Sequence, residues 1–290
     1  MKKDSSTMAF RFYEYQKKRF PIIILALSLF PAILSSGAVV SSHLNIITVF
    51  LALIAALAYL LHIRVIDECR DFDHDSVHHA DRPVQVGLIS KEELKKIDFI
   101  SIIILFGIAF TFGKYAIFFS ILMWCYSYLA EKEFFLKKVI HQNFFFYNGI
   151  NLVQMLLMQM FVYLIFSATL SLNVLLISHF LFTTIGSLTF EFVRKVKIPG
   201  DDGTGKDTYT WYLGFKNALA LYVMLSFVAF ALFLRITASI SKEPFVWLVL
   251  IGVLSVLMVG VAIVHWMKRT KNTDQLLQLV FPLCYGILNM

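Results

Sequence analysis

The sequence is poor in charge and in cysteine. Only 16% of its 290 residues are Asp, Glu, Lys or Arg, and its mean hydropathy of +0.74 lies far outside the range of soluble domains. An odd number of cysteines, without the spacing of a metal site, argues against a disulfide framework. No module of interleaved basic and aromatic residues is visible, so no nucleic-acid partner is expected. The first nineteen residues are polar and basic, which argues against a cleaved signal peptide.

Long stretches without charge make up most of the chain. A helical span needs about 20 apolar residues, so the 48-residue stretch 143–190 predicts two spans with a break near Ser167–Asn173. Two shorter stretches meet at Gly113–Lys114, where extended helices or a tight hairpin are expected. These two stretches are 99–113 and 115–130, and the remaining ones are 20–40, 44–61, 217–234, 245–264 and 275–290. The predicted fold class is an all-α integral membrane protein, a single domain over residues 1–290 with nine transmembrane helices.

Basic residues are unevenly distributed among the segments that connect these stretches. If residues 1–19 are cytoplasmic, the inward segments hold 23 of the 26 Lys and Arg residues, and the outward ones hold Lys114, Arg235 and Lys242. By the positive-inside rule, the N-terminus and the polar loops after the second and sixth spans are cytoplasmic, in an inner or plasma membrane. The net charge of +7 is therefore mostly an orientation signal.

The loop after the second span begins with an acidic segment, "DECRDFDHDSVHHADRP", residues 67–83. If the helix continues through it, Arg64, Glu68, Asp71 and Asp75 follow at i, i+4, i+7 and i+11 and share one face. Carboxylates at this spacing repel one another unless a cation lies between them. Because Mg²⁺ typically binds one or two carboxylates together with phosphate oxygens, the pattern indicates Mg²⁺ and a phosphorylated ligand. The alternative is a solvated acidic loop.

A second polar segment, "EFVRKVKIPGDDGTGKDTYTWYLG", residues 191–214, follows the sixth span. Like the first, it mixes acids and bases and ends in a glycine before the next span, Gly87 in one case and Gly214 in the other. This organisation indicates an internal repeat and predicts that the two segments hold a diphosphate through metal ions and basic side chains. Its charged residues are Glu191, Arg194, Lys195, Lys197, Asp201, Asp202, Lys206 and Asp207.

The first segment resembles the aspartate-rich motif of the UbiA superfamily of intramembrane prenyltransferases, N-D-x-x-D-x-x-x-D followed by R-P and a glycine. Asp67 stands at the asparagine position, and the three aspartate places are taken by Glu68, Asp71 and Asp75. The following "RPVQVGLIS" fits R-P-x-x-x-G-x-I-S. The second motif, G-D-x-x-x-G-x-x-T…G, is matched by Gly200-Asp201, Gly205, Thr208 and Gly214. The chain departs from the family pattern at Asp67, Glu68, Arg194, Lys197 and Asp207.

The resemblance implies an enzyme that transfers a prenyl group from an isoprenyl diphosphate to a lipid-soluble acceptor, such as an aromatic ring or a quinone precursor. It implies Mg²⁺ as the cofactor and membrane lipid as the surroundings. The expected metal ligands are Asp67, Glu68, Asp71, Asp75, Asp201 and Asp202, of which Glu68, Asp71, Asp75 and Asp201 are expected to be catalytic. The expected diphosphate-binding residues are Arg82, Arg194, Lys195, Lys206 and Tyr209. Aromatic faces for the carbocation are expected from Phe144, Phe145, Phe146, Tyr147 and the segment 125–129.

Two other functions stay open on the sequence. A UbiA-type terpene cyclase would ionise the same diphosphate without an acceptor, and a transporter or non-catalytic lipid-binding scaffold would not ionise it at all. Against a transporter, the charged segments lie at the membrane rim and not at the midplane. Within the spans, His179 is expected to form a hydrogen bond inside the bundle. For Glu191, a structural salt bridge and a functional role remain equal alternatives.

The charge distribution makes a prediction about topology. Cysteines placed at Ser76 and Thr204, one in each polar loop, should react with a membrane-impermeant thiol reagent only from the cytoplasmic face. Labelling of either position from the outside would contradict the arrangement.

Overall fold

The computed structural model describes residues 7–136, 143–200, 208–241 and 244–290, and all regular structure in these ranges is helical. The helices are α1 (Met8–Arg19), α2 (Ile22–Val40), α3 (Ile46–Arg70), α4 (Phe72–His78), α5 (Lys91–Phe112), α6 (Lys114–Glu131), α7 (Phe144–Phe166), α8 (Val174–Arg194), α9 (Tyr209–Leu213), α10 (Phe215–Ile240), α11 (Pro244–Lys268) and α12 (Lys271–Leu288). The short helices α4 and α9 lie in the two polar segments, and a 3₁₀ turn spans Glu133–Phe135.

Each apolar stretch of the sequence falls in a long helix. The predicted break is confirmed, because α7 ends at Phe166 and α8 begins at Val174. Both expectations at Gly113 are confirmed as well: α5 extends back to Lys91, and α6 begins directly after the glycine. In the described part of the chain, six helices are long and apolar enough to cross a membrane: α2, α3, α7, α8, α10 and α11. The all-α membrane class follows, and the count of nine spans stays a prediction.

Polar residues at the helix ends explain where the helices begin. The side chains of Asn143 and Asn173 accept hydrogen bonds from the backbone N–H groups of Phe146 and Leu176, which would otherwise lack partners. At Gly113 the backbone φ is +90°, a value that favours glycine and allows the chain to turn directly from α5 into α6.

The helices form two compact units. The first contains residues 1–33 and 43–169, and its described part holds α1, α3 to α7 and the first part of α2. In this unit α3 packs against α5, and α6 packs against both α5 and α7. The amphipathic helix α1 inserts Tyr15 into an apolar cluster with Leu61 and Val65 of α3 and Leu94 of α5. Burial of these side chains fixes α1 at the end of α3 that carries the acidic segment.

The second unit contains residues 34–42 and 170–290 and is built around α8, which packs against α10 and α12. The Nε2 atom of His179 lies 3.0 Å from the Ser35 hydroxyl, and that hydroxyl donates to the side chain of Asn289 over 2.7 Å. The hydrogen bond expected for His179 is thus confirmed. Each unit carries one polar segment, placed directly after its first complete long helix, in agreement with the repeat seen in the sequence.

A close approach between α8 and α12 depends on Gly186. A Cβ atom at this position would lie 2.3 Å from the ring of Tyr285, closer than real contacts allow. That ring is held by Phe182 and Phe281, with ring centroids 4.8 and 5.6 Å away. Because the ring is packed on two sides, it cannot move away from a new methyl group without losing contacts.

Gly186→Ala should therefore destabilise the second unit by about 1–3 kcal/mol, the usual cost of overpacking. The measurement is thermal unfolding of the detergent-purified protein. Gly260→Ala is the matched control, because no atom lies within 4 Å of a Cβ there and alanine favours the helix. Equal melting temperatures for the two variants would show that the α8–α12 contact is looser than described.

Candidate functional site

The acidic segment does not form one continuous helix. Helix α3 ends at Arg70, and Asp71 takes φ −91° and ψ 8° before α4 begins at Phe72. The expectation that Glu68, Asp71 and Asp75 share one helical face is therefore wrong. The physical reason is that Asp71 leaves the helical conformation while its carboxylate bonds to residues outside α4. The structure distributes the four predicted acids of this segment among three separate ion-pair groups.

Glu68 forms the first group and is almost fully buried, with 1% exposure. Its Oε1 atom accepts hydrogen bonds from Arg19 Nε at 2.9 Å and Arg64 Nε at 3.1 Å, and the Tyr15 hydroxyl lies 3.4 Å away. Burial raises the pKa of Tyr15, which keeps its hydroxyl protonated as a donor. Glu68 thus joins α1 to α3 electrostatically. Its other oxygen, Oε2, is buried without a hydrogen-bond partner and is the atom through which Glu68 would bind a metal ion.

Asp67 and Asp71 form the second group around the guanidinium of Arg70. Arg70 Nη2 donates to Asp67 Oδ1 over 2.7 Å, and Arg70 Nε donates to Asp71 Oδ1 over 3.0 Å. From α7, the Tyr147 hydroxyl donates to Asp71 Oδ2 over 3.0 Å and accepts from Arg70 Nη2. Two carboxylates of the predicted site therefore converge on one cation.

Asp75 forms the third group with Arg82, and only 3% of Asp75 is exposed. Between Asp75 and Arg82 the chain turns after α4, where the backbone N–H of Arg82 donates to the carbonyl of His79 over 3.0 Å. This turn brings Arg82 to Asp75, so a predicted diphosphate-binding residue is paired with a carboxylate in this structure. Gly87, in the turn that follows the R-P motif, has a φ of +79°, a conformation in which other residues would be strained.

The donor set fits Mg²⁺ in part. Within the four described ranges, no three His, Cys, Asp or Glu side chains are close enough to form a complete metal site. Mg²⁺ does not require one, because it usually binds one or two carboxylates and completes its shell with water and phosphate oxygens. Asp67 and Asp71, whose oxygens already share a cation, satisfy that requirement.

The second polar segment is described only on either side of residues 201–207, so Asp201, Asp202 and Lys206 lie outside the described residues. At the end of α8, Glu191 pairs with Arg194 at 3.3 Å and with Lys195 at 3.1 Å. This arrangement agrees with the structural alternative for Glu191 and leaves the functional one untested.

Tyr209 follows the undescribed stretch. Its backbone N–H donates to the Lys195 carbonyl over 2.9 Å. Its ring stacks on the ring of Phe192, with 4.1 Å between the ring centroids. Burial, and then the nearby Glu191, raise the pKa of Tyr209 to about 12, so its hydroxyl stays protonated at neutral pH. The predicted role of Tyr209 in binding the diphosphate requires such a hydrogen-bond donor.

The aromatic residues proposed for the carbocation do not share one environment. Phe144 is buried, whereas Phe145 and Phe146 are each half exposed on the outside of the helix. Of residues 144–147, Tyr147 contacts the acidic segment, through its hydrogen bond to Asp71. In the segment 125–129, Tyr126 packs against Ile150 and its hydroxyl donates a hydrogen bond to the Ile150 carbonyl.

Most of the chain matches a known protein family. The sequence profile of the UbiA prenyltransferase family matches residues 28–281. The chain belongs to the UbiA prenyltransferase family. No curated protein matches it significantly by sequence alone.

Solved structures show the same fold. A UbiA homologue from Aeropyrum pernix K1 aligns with a TM-score of 0.64 at 18% identity, covering 92% of this chain and 97% of the homologue. A structure of digeranylgeranylglyceryl phosphate synthase aligns with a TM-score of 0.57 at 17% identity, covering 96% of this chain and 98% of the synthase chain. A UbiA homologue from Archaeoglobus fulgidus, bound to DMAPP and Mg²⁺, aligns with a TM-score of 0.55 at 12% identity, covering 95% and 98%.

The sequence alone did not identify the partners of the acids. Arg70 lies inside the acidic segment, three residues after Asp67, and that spacing was available as a signal. Arg19 and Tyr15 reach Glu68 from 49 and 53 residues away in the chain, a contact that no local pattern predicts.

The environment of Glu68 makes a prediction. Glu68→Gln leaves the guanidinium groups of Arg19 and Arg64 without their shared counter-charge, which typically costs about 3–5 kcal/mol in a buried site. We expect a lower melting temperature in the absence of both metal and diphosphate.

Glu14→Gln is the control. It removes an exposed partner of Lys17, a kind of ion pair worth about 0–1 kcal/mol. If Glu68→Gln melts like the control and changes only metal binding, the ion-pair role of Glu68 is refuted and its role is that of a metal ligand.

Proposed function

We propose that the chain is an Mg²⁺-dependent prenyltransferase that moves a prenyl group from an isoprenyl diphosphate to a lipid-soluble acceptor, such as an aromatic ring or a quinone precursor. Membership of the UbiA family supports prenyl transfer in general. The donor class and the metal ion are supported by structures of the Archaeoglobus fulgidus homologue bound to DMAPP or GPP, each with Mg²⁺.

One observation in this chain carries the proposal: two carboxylates at the end of a membrane-spanning helix converge on a single cationic group. Asp67 and Asp71 are the residues that would hold Mg²⁺, with Asp75 and Glu68 Oε2 as further predicted ligands. Mg²⁺, when bound, would stabilise the negative charge that develops on the departing diphosphate oxygens. Tyr147 orients the carboxylate of Asp71 for this task by donating a hydrogen bond to Oδ2.

Basic side chains would hold the diphosphate itself. Arg194 is suited to this, because its side chain is 53% exposed and its ion pair with Glu191 is therefore of the weak kind. Its planar fork of donors matches phosphate oxygens, while Lys195 acts as a mobile point charge. Arg82 and Lys206 are the other proposed diphosphate ligands, and Asp201 and Asp202 remain proposed metal ligands.

The same proposal includes the topology. The chain crosses the membrane nine times, with the N-terminus and both polar segments in the cytoplasm. The concentration of Lys and Arg in the inward segments supports this orientation. A water-soluble diphosphate would then approach the acidic segment from the cytoplasm, and the prenyl tail would lie among apolar helices.

Asp71→Asn tests the site directly. The change removes a metal-binding charge at nearly constant size, so the rate of donor consumption should fall at least about a hundredfold while the protein still purifies normally. Asp75→Asn should have a similar effect. The measurement is diphosphate release from geranyl, farnesyl and geranylgeranyl diphosphates with Mg²⁺, each with and without a panel of acceptors.

Asp73→Asn is the matched control, because Asp73 is an exposed acid of the same segment. It should keep the rate of the parent protein. Full activity of both Asp71→Asn and Asp75→Asn would reduce the cluster to a solvated surface and remove the proposal's basis. Release without any acceptor would indicate a terpene cyclase, and no release at all would indicate a scaffold or transporter.

A further inference from the structure

We propose that Arg70 is a built-in counter-ion that a metal ion must displace from Asp67 and Asp71, so that this chain binds the metal ion tightly only together with a diphosphate. The inference rests on the proposed function and concerns how its two ligands depend on each other. It assigns to Arg70 the role of a positioning residue that couples metal binding to donor binding.

The hydrogen bonds of Arg70 occupy the atoms that a metal ion needs. Its guanidinium contacts Asp67 Oδ1 at 2.7 Å, Asp71 Oδ1 at 3.0 Å and Asp71 Oδ2 at 3.3 Å. Three carboxylate oxygens of the proposed metal site thus already have a cationic partner. A metal ion can bind these oxygens only if the guanidinium moves away from them.

Burial makes that displacement unfavourable for a metal ion alone. The side chain of Arg70 is 6% exposed, so little water is available to solvate the guanidinium once its carboxylates are taken. A displaced guanidinium would also lie close to a divalent cation of the same sign. Both effects oppose metal binding by itself.

A diphosphate removes both obstacles at once. It brings negative charge to the metal ion and offers the displaced guanidinium a new partner, since the fork of an arginine matches phosphate oxygens in two parallel hydrogen bonds. Binding of the two ligands should then be mutually favourable. By thermodynamic linkage, the factor by which diphosphate strengthens metal binding must equal the factor by which metal strengthens diphosphate binding.

Tyr147 holds Arg70 in this position. Its hydroxyl accepts a hydrogen bond from Arg70 Nη2, and the guanidinium carbon lies 4.9 Å from the centre of its ring. These contacts come from α7, so the position of Arg70 is fixed by tertiary packing as well as by the two carboxylates. The pairing of Arg82 is different, because Arg82 bonds to the single carboxylate of Asp75.

The test uses the full chain in detergent, with Mn²⁺ as a paramagnetic substitute for Mg²⁺. Binding of Mn²⁺ alone is measured from the loss of the free-ion EPR signal, and binding of ³²P-labelled inorganic diphosphate is measured with and without Mn²⁺. We expect Arg70→Gln to bind Mn²⁺ alone at least tenfold more tightly than the parent protein. The gain in diphosphate affinity that Mn²⁺ provides should be at least tenfold in the parent protein and several-fold smaller in Arg70→Gln.

Arg11→Gln is the control for the loss of a positive charge, because Arg11 pairs with Glu93 away from the acidic segment. It should behave as the parent protein does in both assays. Arg70→Lys keeps the positive charge but loses the guanidinium fork, and it should give an intermediate affinity for Mn²⁺. This variant decides the question if Arg70→Gln does not purify as a folded protein.

An affinity of Arg70→Gln for Mn²⁺ equal to or weaker than that of the parent protein would overturn the inference. Asp71→Asn distinguishes this failure from a failure of the proposed function. Suppose that Arg70→Gln fails in this way. If Asp71→Asn then abolishes joint binding of Mn²⁺ and diphosphate, the metal site stands and only the role of Arg70 is refuted. If Asp71→Asn binds both ligands as the parent protein does, the metal site and the inference fail together.

Discussion

Neutralisation of buried carboxylates is the constraint on which the acidic segment of this protein depends. Glu68 and Asp75 are buried near the end of α3, a helix long and apolar enough to cross a membrane, and a buried carboxylate is tolerated only with a cationic or hydrogen-bonding partner. Arginines supply that partner for every predicted acid of the first segment. These ion pairs hold helix α1 and the turn after α4 at the end of α3, and Tyr147 of α7 adds a hydrogen bond to Asp71.

The starts of the two polar segments are alike in backbone conformation and different in charge. The helix before each polar segment ends in a similar way, with φ −91° and ψ 8° at Asp71 and φ −103° and ψ 8° at Lys195. The chemistry at the two ends differs: carboxylates surround a guanidinium in the first unit, whereas basic side chains surround Glu191 in the second. This difference is in keeping with metal binding through the first segment and direct phosphate contact through Arg194 and Lys195.

The helices were predictable from sequence because a span must be long and apolar and its ends need polar or glycine residues. The break at Phe166–Val174 and the turn at Gly113 follow from those needs alone. The break at Asp71 was not predictable, because the helical spacing of the acids continues through it. One of the hydrogen bonds to the Asp71 carboxylate comes from Tyr147, 76 residues later in the chain. Partners at such separations are set by tertiary packing, which one sequence does not reveal.

Product analysis by mass spectrometry tests the central claim most directly. The purified protein would be reconstituted in lipid nanodiscs and incubated with isoprenyl diphosphates of several chain lengths, lipid-soluble acceptors and Mg²⁺. The account predicts a prenylated acceptor and an equal amount of released diphosphate, both of which disappear when Mg²⁺ is chelated. Donors that remain intact with every acceptor, or a product that forms equally well in the absence of a divalent metal ion, would contradict it.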